Sequence, residues 1–285
     1  MPTDHAPERR DPRPAIGSAQ TRAVVERELS QAMRAWLGWT LPAAGLTAMT
    51  ASLQPEMSKE GSVMQAKLDL MPKEMLAAFG VERMDLADPI SYLATNGALI
   101  ALLGALFAGT LGATLVTKEE AFGTGEILFS LPVSRTRVVV SKIAAALLPV
   151  VLFDVVVYVG ARGTYAAVGV DIVDEGLFAS LFVGSALLHV SLFALALAST
   201  IRLRRPRQAT PFALAIVFGL YGLGVVGALS ESLTFVGALS PFRAVDMATI
   251  VKDGGLSVRA LVLGLVSVAA IVVAERLFVR KDLHA

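Results

Sequence analysis

Along the chain, apolar residues gather into long uncharged runs separated by short charged stretches. A helix rising 1.5 Å per residue needs about 20 apolar residues to cross about 30 Å of hydrocarbon. Six runs approach that length: Ala35 to Pro55, Pro89 to Thr117, Ile143 to Ala161, Gly176 to Ile201, Gln208 to Ser230 and Ala260 to Ala274. The third is broken only by Asp154. The sixth is the shortest and extends outward past Arg259, whose stem can lie in apolar surroundings while its guanidinium reaches the headgroups. The pattern predicts an all-α membrane protein of six transmembrane helices, forming one domain over residues 21–285. Residues 1–20, rich in Pro, Arg and Asp, read as a disordered tail.

Between the tail and the first run, Val25, Leu29, Ala32, Met33 and Trp36 recur at helical spacing against Arg22, Glu26, Arg27 and Arg34. That is the pattern of a helix lying in the membrane interface, or of a plain extension of the first span. Before the sixth run, Leu233 to Leu239 is too apolar for a free loop. Ser240 then suits a helix cap and Pro241 the first helical position, which predicts a short helix from Pro241 to Val251. Two short helices dipping into the outer leaflet fit this stretch. In the segment 56–88, Met57, Met64, Met71, Met75 and Met84 stand among seven acids and suit an interfacial cover.

Composition removes whole classes of function. With 55% hydrophobic and 17% charged residues and a mean hydropathy of +0.65, a water-soluble globule, a disordered chain and a collagen-like repeat are excluded. The absence of cysteine excludes a disulfide, a thiolate metal site and a cysteine nucleophile. Charge distribution sets orientation. Of the 25 Lys and Arg residues, 17 lie in segments 1–34, 117–142, 202–207 and 275–285, which an even number of spans places on one side. That side is the cytoplasm of a cell (inner) membrane protein, and both termini face it. The run Arg202, Arg204, Arg205, Arg207 then reads as a topology determinant and not as a nucleic-acid site.

Two intramembrane features carry chemistry. Asp154 is the only formally charged residue inside an otherwise apolar span, and its burial demands a partner or a neutral form. It lies 12 residues beyond Lys142, and His189 lies 13 before Arg202. In adjacent antiparallel helices both sit about 18 to 20 Å from the same face. The pairing of carboxylate with imidazole is one reading; separate satisfaction by hydroxyls and helix packing is the other. Ala101, Ala105, Gly109 and Ala113 recur every four residues along the second run, marking a close helix–helix seam within or between protomers. Gly222-Leu-Gly-Val-Val-Gly227 matches a dinucleotide fingerprint formally, but it lies inside an uncharged run and not at a strand-to-helix turn.

The connector from 117 to 142 begins with acids as a span ends and halts at Pro132. In it Phe122, Ile127, Leu128, Phe129 and Leu131 mingle with Glu119, Glu120 and Glu126. It predicts either a short amphipathic helix presenting a docking surface or a solvated link. Its pattern is Glu119-Glu120, two residues that include Phe122, Gly123-Thr124, one residue, Glu126, and then Leu131-Pro132-Val133-Ser134-Arg135 with Lys142 opening the next span. This resembles the membrane permease subunits of type 2 ABC exporters, the ABC-2 class. Gly80, Ser240-Pro241-Phe242 and Phe278 to Asp282 agree with the likeness, which covers most of the chain. Gly125 departs from it, since the family usually has Leu there, and glycine costs a helix about 1 kcal/mol relative to Ala. The resemblance implies six helices with cytoplasmic termini, a cytoplasmic coupling helix between spans two and three, and pairing with a second permease copy or homologous permease. It also implies a separate ABC ATP-binding subunit, docked on the connector through Glu119, Glu120, Phe122, Gly123, Thr124, Glu126, Leu131, Pro132, Ser134 and Arg135.

The chain contains no Gly-x-x-x-x-Gly-Lys-Ser/Thr loop, so ATP and its Mg²⁺ are expected on that partner, with no cofactor here. The expected function is that of a permease subunit, not an enzyme, offering a path for a hydrophobic, lipid-like or glycan-linked substrate. Two other classes remain. An ion-coupled carrier would use Asp154 and His189 as a relay, and an intramembrane enzyme would need a motif such as His-Glu-x-x-His or Gly-x-Ser-x-Gly, neither of which occurs.

Overall fold

The computed structural model describes residues 16–60, 70–72, 85, 87–121, 134–201, 203, 205–229 and 231–279. All regular structure among them is helical. Helix α1 spans Ile16–Lys59, α2 Pro89–Ala121, α3 Arg135–Ala167, α4 Glu175–Thr200 and α5 Ala209–Leu229. Three short helices follow, α6 Thr234–Gly237, α7 Pro241–Ala244 and α8 Met247–Asp253, and α9 spans Val258–Val279.

Five helices among the described residues are long and apolar enough to cross a membrane: α2, α3, α4, α5 with the turn that precedes it, and α9. The expected first span is not one of them, and its packing explains why. Thr40, Thr47, Thr50 and Gln54 of α1 are buried against α2 and α3, while Leu37, Leu41, Met49 and Leu53 face outward. The inward face thus mixes these polar groups with Ala43, Ala51 and Leu46 while the outward face is apolar, and the polar stripe lowers the hydropathy of the helix. Three of these four polar groups are hydrogen-bonded, while Thr40 Oγ1 is buried without a partner among the described residues. Thr47 Oγ1 donates to Ala43 O at 2.7 Å, Thr50 Oγ1 to Leu46 O at 2.8 Å, and Gln54 Nε2 to Ala87 O at 2.9 Å.

Helix α1 begins at Ile16, within the range read as a tail, and runs unbroken through residues 22–36 into the first apolar run, as the reading of a plain extension has it. The amphipathic face itself is as expected, with Arg22, Glu26, Arg27 and Arg34 exposed and Ala32 buried. The single helix expected from Pro241 to Val251 is two, α7 and α8, interrupted at Val245 and Asp246. The reason is that Asp246 caps a new helix, its Oδ2 accepting from Thr249 N at 3.1 Å and Thr249 Oγ1 at 2.8 Å. Ser240 makes no cap bond; its hydroxyl donates instead to Leu220 O at 2.7 Å, pinning the short helices to α5.

Helices α2 and α4 form the centre of the bundle, with α1, α3, α5 and α9 around them. Ser191 and Ser267 join α4 to α9 through hydroxyls 2.7 Å apart. The outer faces of α5 and α9 carry exposed Phe212, Phe218, Leu261, Leu265 and Val272, a surface suited to lipid. Helices α2 and α4 approach backbone to backbone at Gly112, where an added Cβ would lie 2.3 Å from the carbonyl oxygen of Phe193. Backbone cannot swing aside as a side chain can. Alanine's better helix propensity offsets about 1 kcal/mol of the collision, and overpacking costs about 1–3 kcal/mol or more. The Gly112→Ala protein is therefore expected to melt at lower temperature in detergent, whereas Gly160→Ala, which meets open space, is not.

Candidate functional site

Two buried polar centres stand out, one joining the roots of the connector's two flanking helices and one deep in the bundle. The first is an ionic clasp of four residues. Glu28 comes from α1, Lys118 and Glu119 from the last turn of α2, and Lys142 from the second turn of α3. The two Glu28 carboxylate oxygens accept separately from Lys118 Nζ and Lys142 Nζ. Lys142 Nζ also donates to Glu119 Oε1 at 2.9 Å, and Lys118 Nζ to Gln31 Oε1 at 3.0 Å. Glu28 is 3% exposed, Lys142 4% and Glu119 7%. Removing such charges from water is tolerable only because two acids and two ammonium groups cancel and share hydrogen bonds.

This clasp closes the base of the connector, since its members sit just before and just after residues 122–133. Of the residues singled out for docking, Phe122, Gly123, Thr124, Glu126, Leu131 and Pro132 lie outside the described residues, as does the side chain of Glu120. Glu119 turns inward to the clasp. Ser134 caps α3, its Oγ accepting from Arg137 N at 3.3 Å, and Arg135 is exposed at the first position of that helix. Glu28 escaped the sequence reading. The available signal was its position on the apolar stripe, three residues after Val25 and four before Ala32, where a carboxylate needs a buried partner.

The second centre joins α2, α3 and α4. His189 Nδ1 and Asp154 Oδ2 are 3.0 Å apart, and His189 Nε2 is 2.9 Å from the carbonyl oxygen of Ala101. Both partners of the ring are acceptors in their ionised or ordinary states, so Nε2 carries a proton donated to Ala101 O, and a second proton lies between Nδ1 and Oδ2. Whichever of the pair owns that proton, the unit is electroneutral, which makes its burial bearable. Phe153 meets the imidazole edge-on, with ring centroids 5.5 Å apart. Gly104 leaves the space for it: a Cβ there would lie 2.3 Å from His189 Cε1.

The small-residue stripe is placed inside the chain. Ala101 and Ala105 pack with Leu188, Leu192 and Val217, while Ala113 packs with Ala196, Ala209 and Ala213. An added Cβ at Gly109 would meet Val217 Cγ2 at 2.9 Å. These residues thus line contacts of α2 with α4 and α5 within one protomer. Among the described residues no cluster of three or more His, Asp or Glu side chains is disposed to hold a metal ion.

Comparison with known proteins gives one result of wide extent. The family described as ABC-2 family transporter protein matches residues 22–283. No curated protein matches the chain. The matched range takes in the ionic clasp, the Asp154–His189 pair and the five described helices long and apolar enough to cross a membrane, and from a match of that extent it follows that the chain belongs to the ABC-2 transporter family, as a multi-pass membrane permease component.

Proposed function

We propose that the chain is the permease subunit of an ABC exporter, moved by ATP hydrolysis in a separate ATP-binding subunit that grips the connector at 117–142. The observation that carries this reading is the clasp. A solvated link needs no anchoring, yet both roots of this connector are tied through buried ion pairs to a third helix. A partner pulling on the connector would therefore move α1, α2 and α3 together. ATP and Mg²⁺ are held by that partner, with this chain supplying the path.

Six spans, with α1 as the first and both termini cytoplasmic, complete the arrangement. The apolar outward face of α1 supports its place in the membrane, and two copies or two homologous permeases make the full gate. The Asp154–His189 pair serves here as a lock between helices. Both imidazole nitrogens being engaged within the chain supports that role over a proton relay.

Reversing charge at Glu126 tests the docking surface. The Glu126→Lys protein is expected to insert into the membrane normally but to recover much less ATP-binding subunit on co-purification. Undiminished recovery would place the docking surface elsewhere.

A further inference from the structure

A cavity of about 120 Å³ opens between α2, α4, α5 and the short helices α7 and α8. It lies in the half of the bundle remote from the connector: Ala94 and Ala98 are within the first three turns of α2, and Tyr221 and Ala228 are in the second half of α5. Most of its wall is apolar, and Ala98 at its edge is exposed, so the cavity reaches the flank of the bundle. Three polar side chains enter it from the side of the short helices and α5.

Arg243 is half-buried, and among the described residues no carboxylate oxygen lies within 4.0 Å of its guanidinium. Asp246 lines the same cavity. Its Oδ2 is used by the α8 cap, leaving Oδ1 with no protein donor among the described residues. Tyr221, held edge-on against Phe242 with ring centroids 5.3 Å apart, brings a phenol with no hydrogen-bond partner there. An unpaired cation and an acid with one open oxygen, in one largely apolar cavity yet not joined to each other, are an arrangement that a bridging ligand would stabilise.

We propose that this cavity binds an amphiphile with a zwitterionic head group, the anionic end on Arg243 and Tyr221, the cationic end on Asp246, and the apolar tail along Ala94 and Ala98. The charge complement decides the class. A purely anionic head would gain Arg243 but meet the Asp246 carboxylate, and a purely cationic one would meet the reverse. A head with an ammonium able to donate satisfies both ends, while a quaternary ammonium lacks the hydrogen for Asp246. The cavity also abuts the intramembrane pair. Ala101, Ser185 and Met247 line both it and the small cavity around Asp154 and His189, so an occupant sits against the helices that this pair joins. The inference extends the permease reading by naming a ligand class, but binding itself requires no ATP-binding subunit.

The test is native mass spectrometry of the full chain in detergent, titrated with short-chain phosphatidylethanolamine, phosphatidylglycerol and phosphatidylcholine, and with soluble phosphoethanolamine as competitor. Phosphatidylethanolamine is expected to bind tightest. Arg243→Gln and Asp246→Asn, the latter keeping the helix cap because Asn is also a good cap residue, are each expected to weaken it about tenfold, the loss of one charge-assisted bond. Arg243→Lys, which keeps the charge, is expected to weaken it less, and Ala98→Trp, at the mouth, to abolish it if the tail takes that route. A preference for phosphatidylglycerol that rises in Asp246→Asn would overturn the zwitterion in favour of a simple anion. Equal competition by soluble phosphoethanolamine would overturn the amphiphile. Affinities unchanged in all four variants would remove the site altogether. Each of these outcomes is independent of the Glu126→Lys co-purification, so failure here and failure of the permease reading are distinguishable.

Discussion

Truncating Glu28 to alanine is expected to destabilise the protein by about 3–5 kcal/mol, the penalty for breaking a buried ion pair from one side. Lys118 and Lys142 would then face each other at the base of the connector with Glu119 alone to offset them. The cost comes from the stranded charge more than from the lost attraction. For that reason the double variant Glu28→Gln with Lys142→Met, which removes one charge of each sign, is expected to lose less than the sum of its single variants. Thermal unfolding in detergent measures the four corners of this cycle. Additive losses would mean that the two residues do not share one electrostatic unit, and the mechanical argument for the connector would fall with it. Glu26, two residues before Glu28 but exposed and, among the described residues, ion-paired only with Arg22, supplies the control: Glu26→Ala should cost no more than a few tenths of a kcal/mol.

The intramembrane pair calls for a different contrast. Asp154→Ala is expected to cost about 3–5 kcal/mol, since it leaves His189 with an unanswered nitrogen at the centre of the bundle. Asp154→Asn is expected to be far milder. The asparagine amide can donate to Nδ1 while Nε2–H continues to donate to Ala101 O, so a neutral imidazole keeps both bonds. If the aspartate acts by geometry, as a lock between α3 and α4, Asn restores melting behaviour and activity of the assembled transporter together. Restored melting with activity lost would show that the charge or its proton is used during the cycle, and the helix-lock assignment would have to be abandoned.

The chain shows unevenly how much of such a structure can be read in advance. Helices α4 and α5 were legible to within a residue at each end, as was the start of α2, although α2 itself runs four residues past its apolar run, through Lys118 to Ala121. The Asp154–His189 contact was open to inference because helical rise is constant, so depth can be counted from a charged end without knowing any neighbour. Helix α1 was harder. Its Thr40, Thr47, Thr50 and Gln54 weaken the hydropathy signal, and only the packed bundle reveals that they face inward. The break at Asp246 was missed because it depends on a local cap that the periodic pattern does not contain.

By itself, then, the sequence determined the apolar character of this protein, its helical class, the matching level of Asp154 and His189 and the likeness to ABC-2 permeases. Rotation of each helix about its own axis was decided by the tertiary structure alone. In water a helix advertises its inner face by being apolar there and polar elsewhere, but in lipid both faces are apolar and the periodic signal fades. What replaces it is steric and electrostatic: Gly112 against the backbone at Phe193, Gly104 making room for His189, and Glu28 turned toward two lysines 90 and 114 residues away. Those contacts fix which faces meet, and from them come the clasp, the lock and the cavity.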